Sequence, residues 1–359
     1  MKKWISLALV LALVLMLAAC GTAAAPAQTV SPTAPETAEA EKVDEPEFEP
    51  MTLTFSMTEA DGGVVAQGMD IMKEYVSQAT GGAVTIDTYY ASSLMAQDLE
   101  IESIMKGTLD MNACWFDWIS PYMPKLEVLN VPYLFANWDH MNAYFSSDEA
   151  TSLMDEVAET TGIRVFDSVY YKGVRCVNLN KDIKVTSRSD LEGVSIRMPS
   201  SEAWQNMGVA LGANPVPLGA SELYTALQTG AVDGQDNGFS TTISFSWYEV
   251  TKSVTVTGHM ISAGVVTISE EVWQSLSPEL QEILSEGVRQ ACEYISQTTI
   301  DQEASDVAFL EDNGISVYYL SDEELAAYRK EVSDYYFAQT DWVSGLDMEL
   351  YNAIANLEY

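Results

Sequence analysis

The sequence predicts an α/β fold in two lobes, each built around a mostly parallel sheet, and three observations carry that reading. Segments that alternate apolar and polar residues take turns with segments of helical period, which is the pattern of strand–helix–strand crossovers. The chain has 359 residues, more than a single hydrophobic core usually serves. Its hydrophobic content of 47% is that of a chain that folds.

The first element lies outside the fold. Lys2 and Lys3 precede a charge-free apolar run from Trp4 to Ala19, and small residues follow at Leu17-Ala18-Ala19-Cys20-Gly21. That order describes a secretory signal, and the run is short of the roughly 20 residues of a spanning helix. Leu-Ala-Ala-Cys-Gly resembles a bacterial lipobox, which implies cleavage before Cys20, a signal peptide of residues 1–19 and lipidation of the Cys20 sulfur. Several acyl chains on one residue hold a protein stably at a membrane. Residues 20–50 follow as a disordered tether rich in Pro, Ala and Glu, with Pro26, Pro32, Pro35, Pro46 and Pro50 resisting helix.

Leu53, Phe55 and Met57 then alternate as a strand, and Val64/Val65, Ile71/Met72 and Tyr75/Val76 recur at helical spacing up to Gly81-Gly82. Val84, Ile86 and Thr88 form a second strand, and a helix from Leu99 to Met105 stops at Gly107. The rhythm returns with strands at Val174–Leu179 and Val194–Arg197 and a helix from Glu202 to Leu211. Ile104–Asp110 and Leu227–Asp233 echo each other, each a helix end at Gly followed by a short strand into Asp. If each lobe holds one such unit, the segments just beyond, Asn112–Trp115 and Gln235–Asn237, face one cleft at the carboxyl ends of parallel strands.

Composition narrows the function. Lys and Arg number 17 against 53 Asp and Glu, a net charge of −36, which excludes nucleic acid and docking on an anionic membrane face. Only His140 and His259 are present, so a histidine metal site or catalytic triad is not expected. No nucleophile elbow, zinc-protease or phosphate-loop motif occurs. Asp233 and Asp236 could form an acid–base pair, but Asp233-Gly234 reads more simply as a turn. Beyond Cys20, Cys114, Cys176 and Cys292 are an odd set that reads as small buried hydrophobes, with one disulfide left open.

The six arginines are Arg164, Arg175, Arg188, Arg197, Arg289 and Arg329. Arg175 shares a strand face with Val177 and Leu179, where a guanidinium needs an anion or several acceptors. Arg197 closes a strand before Met198-Pro199-Ser200-Ser201, a helix start with a serine cap, and is placed to hold a carboxylate. The plainer reading is that each arginine pairs with one of the many acids.

Three runs resemble the solute-binding proteins of TRAP (tripartite ATP-independent periplasmic) transporters, the C4-dicarboxylate-receptor-like family. They are Leu191–Pro199, Leu211–Pro217 and Glu222–Asn237. Thr80–Gly82, Gly107–Met111, Val131–Phe135, Tyr248–Lys252 and Thr257–His259 continue the likeness over nearly all of residues 51–320. The resemblance implies a periplasmic-binding-protein type II-like fold with a ligand cleft between lobes. It assigns residues 51–174 plus about 263–302 to lobe I, and 175–262 plus about 303–359 to lobe II. It implies a receptor, not an enzyme, that closes on a small organic acid and delivers it to the membrane subunits of the transporter. Arg197 falls on the family's carboxylate-gripping arginine and Arg175 on a second one. Asn237, with Asp236 beside it, falls on a polar ligand contact, and Cys114, Trp115, Thr58 and Glu59 fall in pocket-lining segments. Ala220 departs from an aromatic found in many members, leaving a pocket that is wider or shaped by Trp115. His259 reads as structural. No cofactor or metal is implied, and location is that of an exported lipoprotein on the outer face of the cell membrane. A receptor feeding a sensor system, or an exported hydrolase, are the alternatives. One arginine fork suits dicarboxylates, sugar acids, aromatic acids and keto acids alike.

Overall fold

The structure, a computed structural model, describes residues 48–359. The leader, Cys20 and nearly all of the tether lie outside the described residues. Within them no helix is long and apolar enough to cross a membrane.

The first sheet has the order β2-β1-β3-β10-β4, from β1 (Met51–Ser56), β2 (Val84–Tyr89), β3 (Met111–Cys114), β4 (Ile163–Val174) and β10 (Ile261–Ser269). The second has the order β11-β9-β5-β8-β6-β7. Its strands are β5 (Val177–Leu179), β6 (Ser195–Met198), β7 (Asn214–Pro217), β8 (Gly234–Gln235), β9 (Ser253–Val256) and β11 (Ser316–Tyr319). Both sheets are mixed rather than mostly parallel. β10 runs antiparallel to β3 and β4, and β5 runs antiparallel to β8 and β9. Each of these reversals lies where the chain passes from one sheet to the other.

Helices cover the sheets. In the first lobe they are α1 (Val64–Ala79), α2 (Gln97–Met105), α3 (Phe116–Ile119), α4 (Trp138–Phe145) and α5 (Asp148–Thr161). The second lobe carries α6 (Glu202–Leu211), α7 (Ala220–Thr229) and α8 (Phe239–Ser244), and α9 (Glu270–Ser275) follows β10. α1 buries Val65, Met69, Met72 and Val76, one stripe at helical spacing. The stripe packs on α10 (Pro278–Asp312), which opens with Ser277 capping Leu280 N–H and Pro278 in the first turn. Gly68 permits the approach: a β-carbon there would lie 2.4 Å from Ile295 Cγ1. α10 buries Leu284, Val288 and Ile295 in the first lobe and Leu310 in the core around β9. One stiff rod thus backs both sheets.

α11 (Asp322–Ala338), α12 (Thr340–Val343) and α13 (Met348–Ala355) end the chain. α11 packs on α6, but α13 packs on the turn Pro124–Asn130, and the Ile354 carbonyl lies 2.8 Å from His140 Nε2 in α4. The last helix of the segment 303–359, with Leu350 and Ile354 buried, thus packs against residues 124–140, in the span expected to be lobe I.

The expected strand Val174–Leu179 is interrupted at Arg175-Cys176, where the chain crosses between lobes. Arg175 N–H donates to the Met260 carbonyl at 2.9 Å and its carbonyl accepts from Gly258 N–H at 3.1 Å, so the two crossings are paired. Tyr133 is pinned to this hinge in a left-handed conformation (φ 59°). Its N–H donates to the His259 carbonyl, its hydroxyl to the Thr257 carbonyl, and its own carbonyl accepts from Arg329.

The two echoed segments have one job in both lobes. Asp110 accepts from Thr54 N–H at 2.7 Å, and Asp233 accepts from Ser195 N–H at 3.0 Å, each tying its strand to the parallel neighbour. Within the first lobe, buried Glu100 accepts from Ser56 Oγ (2.7 Å) and Asn112 Nδ2 (3.2 Å). Burial lifts its carboxyl from the ordinary 4.5 to about 7, against the pull of those donors. The folded state holds this proton where the unfolded chain has lost it, so stability falls as pH rises between those values. In urea titrations at pH 4.5 and 7.5, Glu100→Gln should gain about 3 kcal/mol on the wild type across that interval. A difference that does not change with pH would contradict the account.

Candidate functional site

Carboxyl ends of parallel strands from both sheets converge on one cavity. β1 delivers Thr58 and Glu59, β3 delivers Trp115, β6 delivers Arg197 and Pro199, and β8 delivers Asn237. The hinge delivers Arg175, and the end of β4 delivers Lys172.

The two arginines differ in their partners. Arg175 Nη1 donates to Asp236 Oδ2 at 3.0 Å and to Asn237 Oδ1 at 3.3 Å, and its guanidinium lies 4.1 Å from the centre of the Trp204 ring. Arg197 is 3% exposed, yet its Nε donates only to the Leu218 carbonyl (2.7 Å) and no carboxylate reaches it among the described residues. Burial lowers it to about 10, with Arg175 adding to the effect and Asp236 and Asp117 opposing it, so it stays charged at neutral pH. Arg164 and Arg289 pair with glutamates, while Arg188 and Arg329 give N–H groups to carbonyls. Arg197 is the buried guanidinium left without an anion.

Asp236 sits behind Arg175. Burial alone would raise its carboxyl, but Arg175, His259 and Arg197 hold it below the usual range. His259 Nε2 stands 3.6 Å from Asp236 Oδ2 and its Nδ1 is 2.8 Å from Thr257 Oγ1. Burial lowers its imidazole, against the pull of Asp236.

On the first-lobe side, the Lys172 ammonium bonds Glu59 Oε1 and lies 5.1 Å from the centre of the Trp115 ring. Asp117 is buried in the wall, and that burial lifts its carboxyl to about 6 against the attraction of Arg175. Trp115 tilts against Trp118 at 5.1 Å, and Phe245 stacks on Trp247 at 4.7 Å. Ala220 also lines the cavity, so the aromatic walls come from these four rings and Trp204.

The cavity brings together Arg197, Arg175, Asn237, Trp115, Glu59 and Thr58. Two expected residues fall elsewhere. Cys114 is fully buried in β3, paired with Val265 and packed in the core, because both faces of that strand are covered. Asp236 does not line the cavity but holds Arg175 from behind. Asp233 anchors Ser195 and bonds Lys181 at 2.9 Å, which leaves no acid–base pair with Asp236. Ser201 takes the N-cap position of α6, but its hydroxyl caps no backbone N–H. Cys114, Cys176 and Cys292 are free and buried, and among the described residues no cluster suited to a metal occurs. Lys172, Asp117, Trp204, Phe245 and Trp247 are not marked by the sequence reading. Lys172 carried the same signal as Arg175, a cation in an apolar run, Val169-Tyr170-Tyr171-Lys172.

Asp236→Asn keeps the shape of the side chain and leaves buried Arg175 without its hydrogen-bonded anion. Urea unfolding should show a loss of roughly 3 kcal/mol; an unchanged midpoint would mean that Arg175 does not depend on this carboxylate.

Comparison with known proteins identifies the family. Residues 55–340 match the family model described as bacterial extracellular solute-binding protein, family 7. The sialic acid-binding periplasmic protein of Vibrio cholerae is 30% identical over 268 residues, 75% of this chain and 83% of that protein. The C4-dicarboxylate-binding periplasmic protein of Rhodobacter capsulatus is 26% identical over 286 residues, 79% of this chain and 84% of the relative. A TRAP periplasmic solute-binding protein from Roseobacter denitrificans, solved with 3-deoxy-D-manno-oct-2-ulosonic acid, superposes with a TM-score of 0.81 at 32% identity, covering 86% of this chain and 100% of the other. The chain belongs to the bacterial extracellular solute-binding proteins of family 7.

Proposed function

We propose that the protein is an extracytoplasmic receptor that captures a small organic acid by its carboxylate, closes its lobes around it and hands it to the membrane subunits of a TRAP transporter. One observation carries this reading: Arg197 is buried in the cleft with a single carbonyl as partner and no carboxylate. A planar guanidinium in that setting matches both oxygens of a ligand carboxylate. Family membership supports the same reading, as do relatives named for sialic acid and C4-dicarboxylates.

The work is binding rather than turnover. Arg197 and Asn237 belong to the second lobe, whereas Glu59, Lys172 and Trp115 belong to the first. A ligand that touches both sets binds the closed form more tightly and shifts the population toward it. The net charge of −36 repels an acid at long range, although salt screens that repulsion beyond about 10 Å. Affinity therefore comes from the local arginines. The lipobox-like segment supports export and tethering through Cys20 at the outer face of the cell membrane.

Melting the purified protein against a panel of organic acids tests the reading. An acid at 100 times its dissociation constant should add about 2.7 kcal/mol, and Arg197→Ala should abolish the shift. A shift that survives the substitution would refute the role of Arg197.

A further inference from the structure

The cavity contains more charge than one carboxylate engages. Lys172 is a second buried cation, its side chain 8% exposed, and it arrives already neutralised by Glu59, 7% exposed. Arg175 is likewise neutralised by Asp236. Asp117, with Ser201 Oγ at 3.5 Å, adds another carboxyl to the wall. Three cations thus stand with three carboxyl groups, and Arg197 alone has no anion in hydrogen-bond contact.

A ligand carboxylate fits at Arg197. A second one elsewhere in the cavity meets Glu59 or Asp117, and like charges brought together out of water are strongly unfavourable. Hydroxyl groups meet no such conflict, since Glu59 accepts and Lys172 donates. We infer that the Glu59–Lys172 pair is a specificity device that restricts the receptor to hydroxylated acids with one carboxylate, and that Lys172 is a latent second anion site which Glu59 keeps closed. This rests on the reading of Arg197 above.

The test is calorimetry on the purified protein with matched pairs: D-galactonate against galactarate, D-glucuronate against D-glucarate, and butyrate against succinate. The wild type should bind a monoacid at least about tenfold more tightly than its matched diacid. Glu59→Gln, nearly the same shape, should shift that ratio toward the diacid by about tenfold or more, and adding Lys172→Met should reverse the shift. If Glu59→Gln does not fold, Lys172→Met alone serves, because an uncovered Glu59 must turn the ratio further against the diacid. Equal binding of a diacid by the wild type, or a ratio unmoved by either substitution, would overturn the inference. Monoacid binding that survives Arg197→Ala, or no binding of any acid, would instead overturn the Arg197 reading on which it rests.

Discussion

The site depends on keeping a buried guanidinium charged without giving it an anion. Transfer of Arg197 out of water is costly, and a protein with 53 acidic residues could have offset that cost by placing one beside it. The fold instead gives it one carbonyl and keeps the nearest acids occupied or apart. Asp236 is held by Arg175, and Glu59 by Lys172. On the proposed reading, a carboxylate ligand supplies the interaction that the protein withholds, which makes the empty cleft the poorer state electrostatically.

The same arrangement joins the cavity to the hinge. Arg175 lies on one crossing segment, and its backbone pairs with Gly258 and Met260 on the other. Asp236 touches the Arg175 side chain and stands beside His259, while Tyr133 binds the His259 carbonyl from the first lobe. In the closure proposed above, a charge placed at the arginines would act on the segments where the chain crosses between lobes. α10 packs on the cores of both lobes.

Local periodicity made much of the fold legible. Leu53, Phe55 and Met57 and the stripe from Val65 to Val76 report one covered face each, and the structure has a strand and a helix there. The break at Arg175-Cys176 was not legible, because it is made by hydrogen bonds to Gly258 and Met260, far along the chain. The antiparallel return of β10 was hidden for the same reason. Its nine residues are all buried, so they show no alternation. In the site, Arg197 could be read from its strand end and the helix after it. Cys114 misled because β3 is covered on both faces and alternation cannot say which side meets the cleft. Lys172 was legible in principle, since a lysine in an apolar run needs a partner as much as an arginine does.

On the proposed reading, a ligand's negative charge, rather than its shape, completes Arg197. Calorimetry comparing an acid that binds with its own primary amide, identical in outline but neutral, tests this most directly. The amide should bind at least about a hundredfold more weakly, roughly 2.8 kcal/mol. Equal affinity for acid and amide would contradict it.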